Sequence, residues 1–379
     1  MGAKYCYSLS NINNLADDVL GEIFIRLSFI SSGRCKCVCK RWLGVISSPC
    51  FTTQVVSRQH TLFNTFFTFL SPHQLMLAFL PSDFDFNSQI QMPSPDILVK
   101  GNVCGYSNGL FLCCSNRYTS GRGYFVYDPF TKECTYIHPF PEANKKQSVY
   151  AVGFLSETLN STRYFWIVIV NSFIRKTHAF KIEVFFSKGT WRQFFMSCAN
   201  GFAFAPHWML SLAYQGNLYF MGMTNIFVFD PVFLGHYTID YPEGADAMNI
   251  MSFGFLGCSN GTLRIADIGH NDLRVWELIW QEEGVDPINF VQRWHLVHRT
   301  NLSTHLPVKF CANYFKRVGG FHPYDGNIVY LHSYADGLFA ANLLTNKFVS
   351  IPGYDKYDIS PFQLQFPLPP KEDIRNTKS

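Results

Sequence analysis

The chain has 379 residues, a formal net charge of +4 and an apolar fraction of 47%. Only 15% of the residues are charged and they form no long basic stripe, which argues against a nucleic-acid-binding protein. Aromatic residues reach 17%, a bias that favours strands over helices. This length and composition suit a small module followed by one large repeat fold.

The N-terminus and the twelve cysteines indicate neither secretion nor a metal site. Residues 1–26 contain no uninterrupted apolar segment of the kind found in a signal peptide. Cys35, Cys37 and Cys39 come nearest to metal-ligand spacing, but the sequence has no second cluster to complete four ligands. The longest apolar run, residues 164–170, is far shorter than the ~20 residues that span a bilayer. We therefore expect a cytoplasmic or nuclear protein with no metal, cofactor or membrane partner.

Residues 15–47 have the periodicity of two amphipathic helices. In the first, apolar residues recur on one broad face, at Leu15, Val19, Leu20, Ile23, Phe24 and Leu27. The second helix carries Cys35, Val38, Trp42, Leu43 and Ile46. It ends at Ser47-Ser48-Pro49, because the residue before a proline disfavours helix. So small a module buries little core of its own, which predicts an interface on its leftover apolar surface. The alternative is a helical cap packed on the following domain.

Beyond Phe51 the helical period is replaced by strands that are separated by tight-turn signals. Dipeptides that accept positive φ precede strand-like runs at Asn108-Gly109, Gly216-Asn217, Asn260-Gly261 and Asp325-Gly326-Asn327. An Asp-Pro turn recurs at Tyr127-Asp128-Pro129 and Phe229-Asp230-Pro231, and residues 342–346 form a related version. We expect the Asp of each Asp-Pro pair to bond the backbone of its own turn.

These signals mark a repeat. One unit lacks the Asn-Gly turn but contains three strand-like runs, at residues 150–154, 164–170 and 180–187. Counting it, five units recur at intervals of about 45–60 residues, which predicts the four-stranded blades of a β-propeller. Residues 52–104 are expected to supply a partial blade, or strands that close the ring with the C-terminus. A β-sandwich is the alternative fold.

The N-terminal residues resemble the F-box, especially in its plant form. The resemblance lies in Leu15-Ala16-Asp17-Asp18-Val19-Leu20, Glu22-Ile23-Phe24, Arg26-Leu27 and residues 34–42, and it extends through residues 46–51. It implies a three-helix module that docks onto the Skp-type adaptor of a cullin–RING ubiquitin ligase. The adaptor contacts that it implies are Leu15, Leu20, Ile23, Leu27, Ile30, Cys35, Val38 and Trp42. Ala16 and Ser28 stand in place of the family's usual prolines, and Ser32 and Gly33 in place of its usual leucines.

The strand region is similar to the kelch-like, F-box-associated domains of plants. Residues 180–191 resemble the K-I-E-V-F-S-S…W stretch of those domains, and Ser107-Asn108-Gly109-Leu110 with Tyr127-Asp128-Pro129 resembles their opening unit. The resemblance implies that loops at one rim recognise a protein target for ubiquitination. The predicted fold class is thus α+β multidomain, a small three-helix F-box followed by an all-β propeller-like domain. The predicted parts are an N-terminal tail (1–14), the F-box (15–51), a connector with ring-closing strands (52–104), the propeller-like domain (105–366) and a C-terminal tail (367–379).

The sequence contains no Gly-rich phosphate loop and no HExxH motif, so we expect a non-catalytic receptor. One alternative is a protein or glycan binding protein outside any ligase, with an F-box that is degenerate at Ser32 and Gly33. Another is a propeller enzyme, with a channel lined by histidines from the set His270, His295, His298, His305, His322 and His332. The basic residues of the 34–41 segment are interpreted as a solvated helix face, with nucleic-acid contact as the alternative.

Overall fold

The computed structural model describes residues 12, 15–24, 35, 38–46, 48, 51, 65–71, 74–80, 96–99, 102–114, 123–128, 133–138, 150–159, 162–171, 173–187, 189–204, 211–245, 254–269, 272–282, 290–306, 316–322, 325–333, 336–351 and 358–361. The chain divides into two compact units. Met1–Phe63 and Leu368–Ser379 make up the first, here called the N-terminal unit, and Asn64–Pro367 make up the second, here called the β unit.

The N-terminal unit contains helices α1 (Asp17–Phe24) and α2 (Lys40–Ile46). Asp17 and Asp18 occupy the first turn of α1, where negative charge stabilises the helix N-terminus. Cys35 is also helical, but the rest of the third helix that the F-box resemblance implies falls outside the described residues. None of the helices in the described ranges is long and apolar enough to cross a membrane.

The described part of the β unit forms six four-stranded antiparallel sheets, numbered I to VI. Sheet I contains β1 (Thr65–Ser71), β2 (Gln74–Leu80), β3 (Asp96–Val99) and β24 (Asp358–Pro361). Sheet II contains β4 (Asn102–Ser107), β5 (Leu110–Cys114), β6 (Tyr124–Tyr127) and β7 (Cys134–Ile137). Sheet III contains β8 (Tyr150–Leu159), β9 (Thr162–Asn171), β10 (Phe173–Phe186) and β11 (Trp191–Phe204).

The remaining sheets follow in chain order. Sheet IV contains β12 (Leu212–Tyr214), β13 (Asn217–Met221), β14 (Asn225–Phe229) and β15 (His236–Asp240). Sheet V contains β16 (Phe255–Ser259), β17 (Thr262–Gly269), β18 (Asp272–Glu282) and β19 (Phe290–Asn301), which a short 3-10 helix, Leu302–Thr304, follows. Sheet VI contains β20 (Arg317–Phe321), β21 (Ile328–Ser333), β22 (Gly337–Asn342) and β23 (Lys347–Ile351).

The sheets are arranged as the blades of a propeller. Strands at the same edge of successive sheets contact one another in chain order, from β4 through β8, β12, β16 and β20 to β24. β24 pairs with β1, with Phe67 opposite Pro361 and Leu70 opposite Asp358, so sheet I takes strands from both ends of the β unit. The predicted propeller-like domain is therefore confirmed, and the alternative of a β-sandwich is not. The five units recognised in the sequence correspond to sheets II–VI.

The core of the β unit lies between neighbouring sheets, because the central strands are buried on both faces. On β14, Phe227 and Phe229 pack against sheet III, whereas Ile226 and Val228 pack against sheet V. Equivalent layers join sheet II to III and sheet V to VI. This two-sided burial explains why the strands appear in the sequence as continuous apolar runs. The strand-like run at residues 164–170 is confirmed as part of β9, and most of its side chains are buried.

The Asn-Gly signals locate the hairpin turns to within one residue. Asn108-Gly109 (φ 45° and 82°) and Asn260-Gly261 (φ 49° and 74°) both adopt positive φ, as predicted. The prediction at Gly216-Asn217 was one residue late. The pair with positive φ is Gln215-Gly216, at 48° and 77°, because Asn217 already pairs with Tyr214 in the β12–β13 ladder.

Other turns are supported by side chains. At Asp325-Gly326-Asn327 the prediction of positive φ was wrong, since these described residues all keep negative or extended φ. There, the Asp325 Oδ1 accepts a hydrogen bond from the Asn327 amide at 2.9 Å. The prediction that the Asp of an Asp-Pro pair bonds its own turn is confirmed at Asp230, whose Oδ1 accepts from two backbone amides.

Candidate adaptor-binding surface

The apolar face of α1 divides into an inner and an outer part. Leu20 and Phe24, one helical turn apart, are fully buried on the inner side. The ring of Phe24 lies 4.8 Å from that of Trp42 on α2, and Ile46 at the end of α2 is also buried. Such an aromatic pair contributes about 0.5–1.5 kcal/mol beyond its buried area. These residues form the small core that holds the two helices together.

Polar contacts fix the angle between the two helices. The Arg41 Nε donates to the Asp17 Oδ1 at 2.8 Å, and the Arg41 Nη2 donates to the carbonyl of Leu15 at 2.5 Å. The hydroxyl of Ser48, just past α2, accepts from the Phe51 amide at 3.1 Å. Because Asp17 and Arg41 are exposed, their ion pair contributes at most about 1 kcal/mol to stability. Its effect is chiefly to orient α2 on α1.

Apolar side chains cover the outer side of the N-terminal unit. Val19 and Leu43 are each almost half exposed, and Val38 is 61% exposed. Val19 lies one turn before Ile23 on α1, so these two residues share a helix face that Leu20 and Phe24 do not occupy. Full burial of a Val or Leu side chain is worth about 1.5–3 kcal/mol. A partner that covers this surface would therefore gain substantial apolar contact.

The eight residues implied as adaptor contacts differ widely in exposure. Leu20 is buried, Leu15, Ile23, Cys35 and Trp42 are half-buried, Val38 is exposed, and Leu27 and Ile30 lie outside the described residues. Leu20 thus stabilises the helix pair itself. The exposure of Val19 and Leu43 was not predicted, because helical periodicity alone does not separate the inner part of a broad apolar face from the outer part. That these residues contact an adaptor stays a prediction.

The polar chemistry of this surface is limited. Burial raises the pKa of the Cys35 thiol, which keeps it in the protonated form. Across the described ranges, no group of three or more His, Cys, Asp or Glu residues is arranged to hold a metal ion. The indole Nε1 of Trp42 is buried and has no hydrogen-bond acceptor among the described residues. A buried donor without an acceptor destabilises by about 1–3 kcal/mol.

The histidines considered for a propeller channel are dispersed. His270 lies outside the described residues, His295 and His298 lie on β19, and His305 follows the 3-10 helix. His322 and His332 are buried in sheet VI. Burial lowers the pKa of His322 to about 4, against an opposing effect of the Asp325 charge, so its ring is neutral near pH 7. The Nδ1 of this neutral ring accepts a hydrogen bond from the Asp325 amide at 2.9 Å.

Two family models match the chain in the order of its two units. Residues 12–54 match the F-box domain, and residues 85–360 match the description "F-box protein At3g26010-like, beta-propeller". The chain belongs to this F-box propeller family. The resemblance to plant F-box proteins with an F-box-associated propeller is thereby confirmed, and so is the order of a short helical F-box followed by an all-β propeller.

Curated relatives of this F-box propeller protein come from Arabidopsis thaliana. F-box protein At5g07610 is 33% identical over 130 residues, which cover 32% of the chain and 31% of that protein. F-box protein At3g49510 is 25% identical over 223 residues, which cover 56% of the chain and 55% of that protein. The chain thus spans between a third and about half of the length of these relatives.

Solved propellers resemble the chain only distantly. The Cps50 (Swd1) β-propeller domain of Myceliophteria thermophila is 11% identical, with a TM-score of 0.37 over 76% of this chain and 88% of that chain. A likeness at this level carries no argument about function.

Proposed function

We propose that this F-box propeller protein is the substrate-recognition subunit of a Skp–cullin–F-box ubiquitin ligase. Its N-terminal unit docks onto the Skp-type adaptor, and its β unit captures a protein target for ubiquitination. The match to the F-box and to an F-box propeller family on one chain supports this assignment.

In this role the chain is a non-catalytic adaptor. It raises the effective concentration of the target beside the ubiquitin-charged conjugating enzyme and performs no covalent step itself. We also propose a cytoplasmic or nuclear location, where the free cysteines found among the described residues stay reduced.

The observation that carries the proposal is the exposure of three apolar side chains of the N-terminal unit, Val19, Val38 and Leu43. The inner side of the two-helix unit is already filled by Leu20 and Phe24. The outer apolar side chains therefore contribute less to the stability of the helix pair than Leu20 and Phe24 do. Their burial by an adaptor would supply several kcal/mol of binding free energy.

The test measures binding of the full chain to a purified plant Skp-type adaptor by isothermal titration calorimetry. The variant Val38→Asp/Leu43→Asp changes two exposed side chains, so we expect it to fold normally and to bind about 100-fold more weakly or worse, since tenfold in affinity corresponds to about 1.4 kcal/mol. Trp42→Ala is less informative, because Trp42 packs on Phe24 within the unit.

The matched control is Leu344→Asp in the β unit. Leu344 is 77% exposed, so this change adds the same kind of charge to an apolar surface position far from the helices in sequence. We expect it to bind the adaptor like the unmodified chain. Absence of adaptor binding by the unmodified chain would show that the protein works outside a ligase. Equal binding by Val38→Asp/Leu43→Asp would show that the adaptor binds at another surface.

A further inference from the structure

The turn between β14 and β15 holds an apolar tip in a fixed conformation. The amide of Asp230 donates to the carbonyl of Gly235 at 2.8 Å, which closes the turn. The Asp230 Oδ1 accepts hydrogen bonds from the amides of Val232 and Phe233 at 2.8 and 3.0 Å, and these bonds stabilise the conformation of the turn. Phe233 is 85% exposed at the tip, and Val232 and Leu234 beside it are also exposed. The turn therefore presents three adjacent apolar side chains to solvent.

The fold itself does not require apolar residues at this tip. The turn after β22 has the same construction, with the Asn342 Oδ1 accepting from the amides of Leu344 and Thr345 at 3.1 and 3.0 Å. The residue with positive φ is Asn346 (52°) in that turn and Leu234 (59°) here. Asn is a common residue in the left-handed region, whereas Leu is strained there. The β14–β15 turn thus keeps a strained apolar residue where the equivalent turn has an unstrained polar one.

Two acidic side chains interact electrostatically at this turn, Asp230 within it and Glu157 on β8. Glu157, near the end of β8 in sheet III, is half-buried, and its burial and the charge of Asp230 raise its pKa. Within the part of the chain that the structure describes, neither carboxylate forms an ion pair. Arg163, at the start of β9, is paired instead with Asp128. Among the described residues, this acid pair therefore has no ion-pair partner.

Glu157 and Asp230 belong to the same end of their sheets. Glu157 precedes the hairpin that joins the first two strands of sheet III, and Asp230 begins the hairpin that joins the last two strands of sheet IV. The first and third hairpins of a four-stranded antiparallel sheet lie at the same end. Glu157 Oε1 would lie 3.5 Å from a Cβ on Gly216, which is in the first hairpin of sheet IV, so Glu157 belongs to the end of sheet IV that carries Asp230. Leu159, which is 64% exposed, lies at the tip of the first hairpin. We call Glu157, Leu159 and residues 230–235 the hairpin surface.

We propose that the hairpin surface binds a segment of the target protein that carries a Lys or Arg beside an apolar side chain. The inference rests on the proposed function, since it names the part of the β unit that captures the target and the chemistry it recognises. The apolar side chain packs on Phe233 and Leu234, and the cation compensates the acid pair of Glu157 and Asp230. Burial of Phe233 by the partner offsets the strain at Leu234.

The experiment uses the full chain and an array of synthetic 12-residue peptides. Each peptide has a Lys or Arg within two residues of a Leu or Phe, and its matched partner has Glu in place of the base. We expect the unmodified chain to bind the basic peptides at least tenfold more tightly than their acidic partners. This preference should weaken as salt rises from 50 to 500 mM, because screening reduces attraction between exposed charges.

Two variants test the surface directly. Phe233→Thr/Leu234→Asn copies the turn after β22, so we expect it to fold at least as stably as the unmodified chain. Its affinity for the basic peptides should fall about 30-fold or more, because truncating a central apolar side chain of an interface typically costs that much. Glu157→Gln should lower the preference for basic over acidic peptides without changing the fold. The control Leu344→Thr, in the equivalent turn, should leave peptide binding unchanged.

Three outcomes would overturn the proposal. The first is equal affinity for basic and acidic peptides, and the second is full peptide binding by Phe233→Thr/Leu234→Asn. The third is a dimer of the unmodified chain, seen by analytical ultracentrifugation, that this variant dissociates, because the surface would then join two copies of the chain. Measuring adaptor affinity on the same proteins separates failure of this proposal from failure of the proposed ligase role. Loss of adaptor binding with retained peptide preference would reject the ligase role alone.

Discussion

A buried ion pair in sheet V offers a quantitative test of the fold. Asp267 on β17 lies directly opposite Arg274 on β18 and is fully buried. The Arg274 Nε and Nη2 donate to the two carboxylate oxygens of Asp267 at 2.9 and 2.6 Å. The third guanidinium nitrogen donates to the carbonyl of Gly244 at 2.9 Å, and the guanidinium lies 5.2 Å from the ring of Trp276. Arg274 thus links sheet V to the segment that follows sheet IV.

Replacing Arg274 by Met removes the charge partner but keeps most of the side-chain length. The carboxylate of Asp267 then stays buried without the Arg274 charge, so we expect a loss of about 3–5 kcal/mol in the free energy of unfolding. Asp267→Asn keeps the shape of the side chain and leaves its polar partners in place. Its free energy of unfolding should therefore fall by about 1–3 kcal/mol. The double variant Arg274→Met/Asp267→Val replaces the pair by apolar groups and should recover most of the stability.

The sign of the pH dependence provides a second check. In Arg274→Met, burial without the Arg274 charge favours the protonated carboxyl of Asp267 more than in the unmodified chain. The folded chain then binds this proton more tightly than the unfolded chain, so stability rises as pH falls. Urea unfolding, followed by circular dichroism at pH 7 and pH 5, measures both effects. If Arg274→Met lost less than about 1 kcal/mol of unfolding free energy at pH 7, or lost the same amount at both pH values, this reasoning would be refuted.

Two further predictions concern packing and protonation. A Cβ on Gly153 would lie 2.6 Å from the Phe220 ring and 2.8 Å from Leu218, so Gly153→Ala should destabilise by about 1–3 kcal/mol. Gly235→Ala meets no atom of the described residues within 4 Å, so thermal unfolding should show a change below about 0.5 kcal/mol. The pKa of His322 is lowered to about 4 in the fold, below its ordinary 6.5, so the unfolded chain takes up the proton first. The melting temperature should therefore fall as the pH is lowered from 6.5 to 4, and it should fall less steeply in His322→Gln. Equal dependence of the melting temperature on pH in the two proteins would contradict this prediction.

Helices, strands and turns whose conformation is set by residues close in sequence were predictable. The period of α1, the apolar runs of β9 and β10 and the Asn108-Gly109 turn follow from local rules that act over a few residues. The turn at Asp325 was mispredicted, because its side chain bonds the backbone and removes the need for positive φ. Strand β24 is a different case. Closure of the ring with the C-terminus was one of two expectations for residues 52–104, but no local pattern identified β24 as the partner of β1, because the pairing joins distant parts of the chain.

The candidate surfaces depended on packing and were only partly predictable. Helical period placed Val19 and Leu20 on one broad apolar face, but contact with α2 determines that Leu20 is buried and Val19 exposed. The approach of Glu157 to Asp230 arises from the packing of sheet III on sheet IV, which no local pattern encodes. The positive φ of Leu234 runs against the preference of the residue itself.

Reconstitution with a complete ligase scaffold tests the central claim most directly. The full chain, a plant Skp-type adaptor and a cullin–RING subassembly are mixed in equal amounts and examined by mass photometry. The account predicts one assembly that contains a single copy of each, and predicts that Val38→Asp/Leu43→Asp leaves the chain as a separate species. A chain that stays separate without any substitution, while a known F-box protein assembles under the same conditions, would contradict the account.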